Sequence, residues 1–184
     1  KTRFMCLDTG RFYDETFRGS IPKTVKFIIE CLSSVPDDWH IVVASHLWLV
    51  LKDFNTGEAE EAPYLRPIIE VLEDYNLRLS SMYAYEGNII PYDFSSAKAT
   101  IEYCIGGHIH TDAFVLSQRG LPLITVTCDG QQEVAGGLPY ETGTINEQSV
   151  SIVVNDYQNK EVGVYRIGRG SDMKVKMWNS IGSI

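Results

Sequence analysis

Residues 101–112 read IEYCIGGHIHTD: a short apolar run, two glycines, then two histidines one residue apart. The chain has only 4 histidines in 184 residues, so half of them stand in this one stretch. Ile101 to Ile105 reads as a strand by its β-branched and aromatic content, and Gly106-Gly107 is where the chain leaves it for a turn. Glycine permits backbone angles closed to other residues and lets a ligand or ion approach the main chain. In such a turn both rings can face one site. Neutral imidazole is the commonest protein ligand for mid-to-late transition metals, so His108 and His110 are candidate metal ligands.

Working outward, Ile41 to Ser45 is a nearly continuous β-branched run that ends on His46, as expected of a strand buried on both faces. If this strand neighbours the one ending at Gly106, then His46, His108 and His110 share one carboxyl edge, where open α/β sheets place their sites. Thr2 to Leu7 reads as a further strand. Between the two, Ser20 offers an N-cap, Pro22 stands just inside, and Val25, Ile28, Ile29, Leu32 and Val35 recur at helical spacing before Pro36. Strand, helix, strand is an α/β unit. The stretch after His46 is expected to be irregular, its acidic GEAEEAP forming a solvated cap ahead of a helix carrying Leu65, Ile68, Ile69 and Leu72. Residues 80–100 are expected to form a loop. Strands are expected over 101–105, 113–116, 121–127, 149–154 and 162–167. The expectation is one α/β layered domain, 1–184, with an antiparallel, β-rich C-terminal end. His40 in PDDWH reads as structural, with Asp37 and Asp38 capping or solvating its turn. Asp8, Asp112, Asp129 and Asp156 flank strands, and spacing alone promotes none of them to a ligand.

Composition narrows the function classes. At 44% hydrophobic the chain is ordinary for a globular domain, and a net charge of -8 without a Lys/Arg cluster argues against a nucleic-acid-binding surface or an anionic membrane as partner. An acidic protein that handles anions favours bound cations. The 4 cysteines, Cys6, Cys31, Cys104 and Cys128, are widely spaced; three lie in apolar runs and read as core thiols, with a cytoplasmic setting as the default. No run approaches the roughly 20 residues of a membrane span. The chain begins at Lys1 already in a strand, so it reads as a piece of something longer.

The histidine stretches also carry a family likeness. IGGHIHTD (105–112) resembles the last metal-binding motif, Gly-His-x-His, of calcineurin-like metallophosphoesterases, and DDWHIVVASH (37–46) resembles the strand and Ser-His that precede it. The C-terminal GTINEQ (143–148) and RIGRGSD (166–172) are similar to the closing strands of a bacterial and phage branch of that family. The resemblance implies a layered β-sandwich flanked by helices and a centre of two divalent transition-metal ions (Mn, Fe or Zn), with His110 on one ion and His46 and His108 on the other. Two cations would clamp a phosphate and supply a metal-bound hydroxide. The family's upstream Asp-x-His, Gly-Asp-x-x-Asp and Gly-Asn-His motifs are absent; Asp38-Trp39-His40 matches the first as a string but lies in the wrong place in the order.

The resemblance thus implies the C-terminal portion of a phosphate-ester hydrolase, whose remaining ligands come from a missing N-terminal half packed face to face with this one. Its exposed face would then be apolar and able to form a homodimer. The alternative is a catalytically inactive, phage-derived structural or binding module. A single zinc on three histidines is a third reading.

Overall fold

The computed structural model describes residues 1–9, 20–85, 87–127 and 141–179. Strand β1 (Thr2–Leu7) is followed by α1 (Ile21–Ser33), β2 (His40–Ser45), β3 (Leu49–Asp53) and β4 (Glu58–Glu61). Then come α2 (Arg66–Asn76), β5 (Ser80–Tyr85), β6 (Asn88–Asp93), β7 (Thr100–Gly106), β8 (Ala113–Leu116) and β9 (Pro122–Thr125). The chain closes with β10 (Ser149–Asp156), β11 (Glu161–Gly168) and β12 (Met173–Lys176). The fold is mixed α/β and mostly strand. A central sheet runs β1-β2-β7-β9-β8, parallel except for β8 at one edge.

Parallel strands are covered on both faces and need apolar residues at successive positions. Ile41, Val42 and Val43 are accordingly all fully buried. On one face, Ile41, Val43, Ile101 and Leu123 pack with Val25, Ile28 and Leu32 of α1 and Ile68, Ile69 and Leu72 of α2. On the other, Val42, Tyr103 and Ile124 pack with Val162, Val164, Val175 and Met177 from the antiparallel sheet β10-β11-β12. α1 begins as its proline predicts, yet the Ser20 side chain makes no capping hydrogen bond. With Pro22 in the first turn, fewer backbone donors need a cap.

Two stretches expected to be irregular are hairpins. β3 pairs antiparallel with β4, and β5 with β6. The acidic run before α2 is therefore largely strand: Glu61 is mostly buried and accepts both 3.1 Å bonds from Arg66 Nη1 instead of being solvated. β12 is a further strand, outside the ranges expected from the sequence. Of the cysteines, Cys104 is buried but Cys6 is exposed, because β1 is an edge strand left open on one face; Cys6, Cys31 and Cys104 are free thiols, and Cys128 lies outside the described residues.

The β2–β7 ladder holds one irregularity. Ile41 pairs with Ile101 but Val42 with Tyr103, so Glu102 is an extra residue, a bulge that re-aims its side chain. Its fully buried carboxylate contacts His40 Nδ1 at 2.5 Å and accepts from Lys160 Nζ at 2.8 and 3.1 Å.

Candidate metal centre

β2 and β7 are parallel neighbours, so the residues that follow them, His46 and Gly107-His108, emerge at the same edge of the sheet. The two chains are pressed together there. A Cβ on Gly106 would stand 2.4 Å from the Ser45 carbonyl oxygen and 3.0 Å from Trp48 Cδ1, so only glycine fits. Gly107 N donates to His46 O at 3.0 Å, and Trp48 Nε1 donates to Ile105 O at 3.1 Å. Beyond this clamp, Ile109 N donates back to Gly107 O at 3.0 Å, closing a three-residue turn around His108. His108 accordingly has φ 73 and His110 φ 53, angles that non-glycine residues rarely adopt.

The tight turn brings one pair of rings together. His46 Nε2 and His108 Nδ1 are 3.1 Å apart, with one nitrogen donating to the other, and the rings meet edge to face at a centroid distance of 5.1 Å. Burial, reinforced by the neighbouring His46 and His110 rings, holds His108 below the ordinary imidazole value. A neutral ring is the form that binds a metal. His110 is half-buried, and its main chain is fixed by Thr127 Oγ1, which donates to His110 O at 2.8 Å.

A shell of residues that spacing did not single out holds this loop. Asp112 pairs with the buried Arg166 guanidinium and accepts from Thr127 N at 2.9 Å and Ser171 N at 3.4 Å. It is thus a structural anchor between the histidine loop and the RIGRGSD segment. Thr9 braces the other side, accepting from Leu47 N at 3.1 Å and donating to Leu47 O at 2.9 Å. Asp8 follows β1 at this same edge and is exposed. Asp129 lies outside the described residues. His40 is at the opposite edge, stacked on Tyr157 at 3.8 Å, consistent with a structural residue. Asp37 and Asp38 pair on the surface with Lys98 and Lys1.

Among the described residues no group of three or more His, Cys, Asp or Glu side chains is placed to hold a metal ion. His46 and His108 form a pair, and the nearby Asp112 is committed to Arg166. These residues alone do not fit a complete two-metal site.

Comparison with solved structures finds a likeness to a dimetal phosphatase from Danio rerio, at 13% identity and a TM-score of 0.45, covering 85% of this chain and 38% of that one. No family model matches the chain, and no curated protein matches it. No helix among the described residues is long and apolar enough to cross a membrane.

Proposed function

We propose that this chain is the histidine-bearing, C-terminal part of a metal-dependent phosphoesterase with a layered β-sandwich of the calcineurin-like kind. In this reading His46, His108 and His110 are ligands to divalent transition-metal ions, and the carboxylate ligands come from an N-terminal half outside residues 1–184. One observation supports it above the rest: the ring contact of His46 with His108 at the ends of adjacent parallel strands, made by a turn that holds both loop histidines at positive φ. The sequence spends backbone strain to aim imidazoles at that edge, and strain of this kind gathers at functional sites.

The test is turnover of an aryl phosphate with added manganese by the intact protein, alongside its metal content. His108→Ala should lower turnover at least about a hundredfold, as loss of a group aligned with the reacting centre does, and reduce bound metal. Equal turnover in the variant overturns the assignment. The lack of a three-ligand group among the described residues favours a second reading, a catalytically idle module that keeps the fold. An intact protein that folds and shows no turnover with manganese, iron or zinc supports that reading.

A further inference from the structure

Strain at positive φ also marks a second place. Among the described residues, four non-glycine residues have positive φ: His108 and His110 in the candidate metal centre, and Arg78 (φ 60) and Lys160 (φ 52). The latter two line one cavity of about 420 Å³, together with Asn76, Thr100, Trp178 and Asn179. That volume is within the range of small-ligand pockets. The cavity lies where β7 begins and the histidines stand where it ends; at about 3.3 Å per residue the length of the strand separates them by roughly 20 Å.

Arg78 follows the C-cap of α2, at a position that closes helices in the left-handed conformation and that glycine or asparagine ordinarily fills. Its N–H donates to Tyr75 O at 3.2 Å, and Leu79 N donates to Asp74 O at 3.0 Å, so the closure is the usual one with an unusual residue. The guanidinium is fixed by carbonyl oxygens, Tyr75 O at 2.8 Å and Lys98 O at 3.2 Å, and lies over the Tyr75 ring. Carbonyls orient a guanidinium without neutralising it. Lys160 is held from the other side, its Nζ on both oxygens of the bulged Glu102 and its carbonyl oxygen accepting from Met177 N at 2.9 Å. No Asp or Glu lines the cavity, although the chain carries a net charge of -8.

We propose that this cavity binds a small oxyanion, the phosphate or carboxylate group of a small molecule, between the guanidinium of Arg78 and the ammonium of Lys160. Arg78 is positioned in advance with its charge uncompensated, and supplies the charge-assisted hydrogen bond; Lys160, its charge matched by Glu102, adds its remaining N–H donor. The site is independent of the histidines and of any metal they hold.

A helix-closing role for Arg78 predicts something different, and Arg78→Gly separates the two. Glycine keeps the left-handed closure and relieves the strain while removing the guanidinium. The protein, stripped of metal with a chelator, is titrated with inorganic phosphate and separately with acetate, following the Trp178 indole N–H and the Thr100 amide by NMR. Saturable shifts at both reporters are expected, with affinity at least about tenfold lower in Arg78→Gly and with that variant folded by circular dichroism. Response to phosphate alone or acetate alone assigns the oxyanion class. Absence of saturable shifts with both anions, equal affinity in Arg78→Gly, or shifts confined to the His108 loop overturns the proposal.

Discussion

At the residue scale, the His46–His108 pair should report itself by titration. In the metal-free chain, His108 is expected to lose its proton below the ordinary 6.5, chiefly through burial and secondarily through its His46 and His110 neighbours. The folded state therefore favours the neutral ring. The stability this contributes is complete above 6.5 and is lost as pH falls through the lower folded value. NMR of the ring protons checks it: His46→Ala should raise the His108 midpoint without restoring it fully, since burial remains, and an unchanged midpoint would show that the rings do not interact. Gly106 gives a second expectation at this scale. Alanine there drives a Cβ against the Ser45 carbonyl oxygen at 2.4 Å, a backbone atom with little room to yield. Gly106→Ala should cost about 1–3 kcal/mol in urea denaturation and separate the two rings. The glycines and histidines of this turn were legible in the sequence because each residue type has a narrow use. Asp112 was not, because its partner Arg166 lies 54 residues away and spacing carries no trace of such a pairing.

At the scale of elements, legibility followed burial. β2 and β7 are covered on both faces, and a strand in that position has to be written in apolar residues, so both could be read. The β3–β4 and β5–β6 hairpins could not. Glu58-Ala59-Glu60-Glu61 has little strand preference of its own, and Pro91 interrupts the pattern of β6; pairing imposes their conformation. α2 was legible by its apolar stripe, yet the stripe concealed a polar core. Glu73 is fully buried and accepts from Ser117 Oγ at 2.5 Å and Arg119 N at 2.9 Å while pairing with Arg66. It ties the helix to the β8–β9 turn. Glu73→Ala leaves Arg66 its pairs with Glu61 and Glu70 but strands the Ser117 and Arg119 donors, and should cost about 1–3 kcal/mol, read as a lower urea midpoint at unchanged slope. A shift below about 1 kcal/mol would mean that water replaces the carboxylate.

At the scale of the whole molecule, β10 is the open side. Among the described residues it is the edge of its sheet, and Val150, Ile152, Val153 and Val154 are all exposed, with Ile167 and Tyr165 opposite Val150 and Ile152 on β11. An edge strand with an apolar face and its one charge, Asp156, at its far end invites pairing with another chain. The isolated chain is expected to self-associate with rising concentration, and Ile152→Lys to shift light scattering toward the monomer; a wild-type chain that stays monomeric at high concentration counts against a half-domain whose apolar face awaits cover. The central sheet has a different consequence, one of time. The β3–β4, β5–β6 and β10–β11 hairpins join neighbours in the chain and can close within microseconds. The His46–His108 contact spans 62 residues and exists only once β2 and β7 lie side by side. Such distant pairing is slow to form, so the histidine pair is expected among the last contacts of a refolding chain. The ring contact is thus a clock for completion of the central sheet, and a metal held by the pair, as proposed, would select chains in which that sheet is complete.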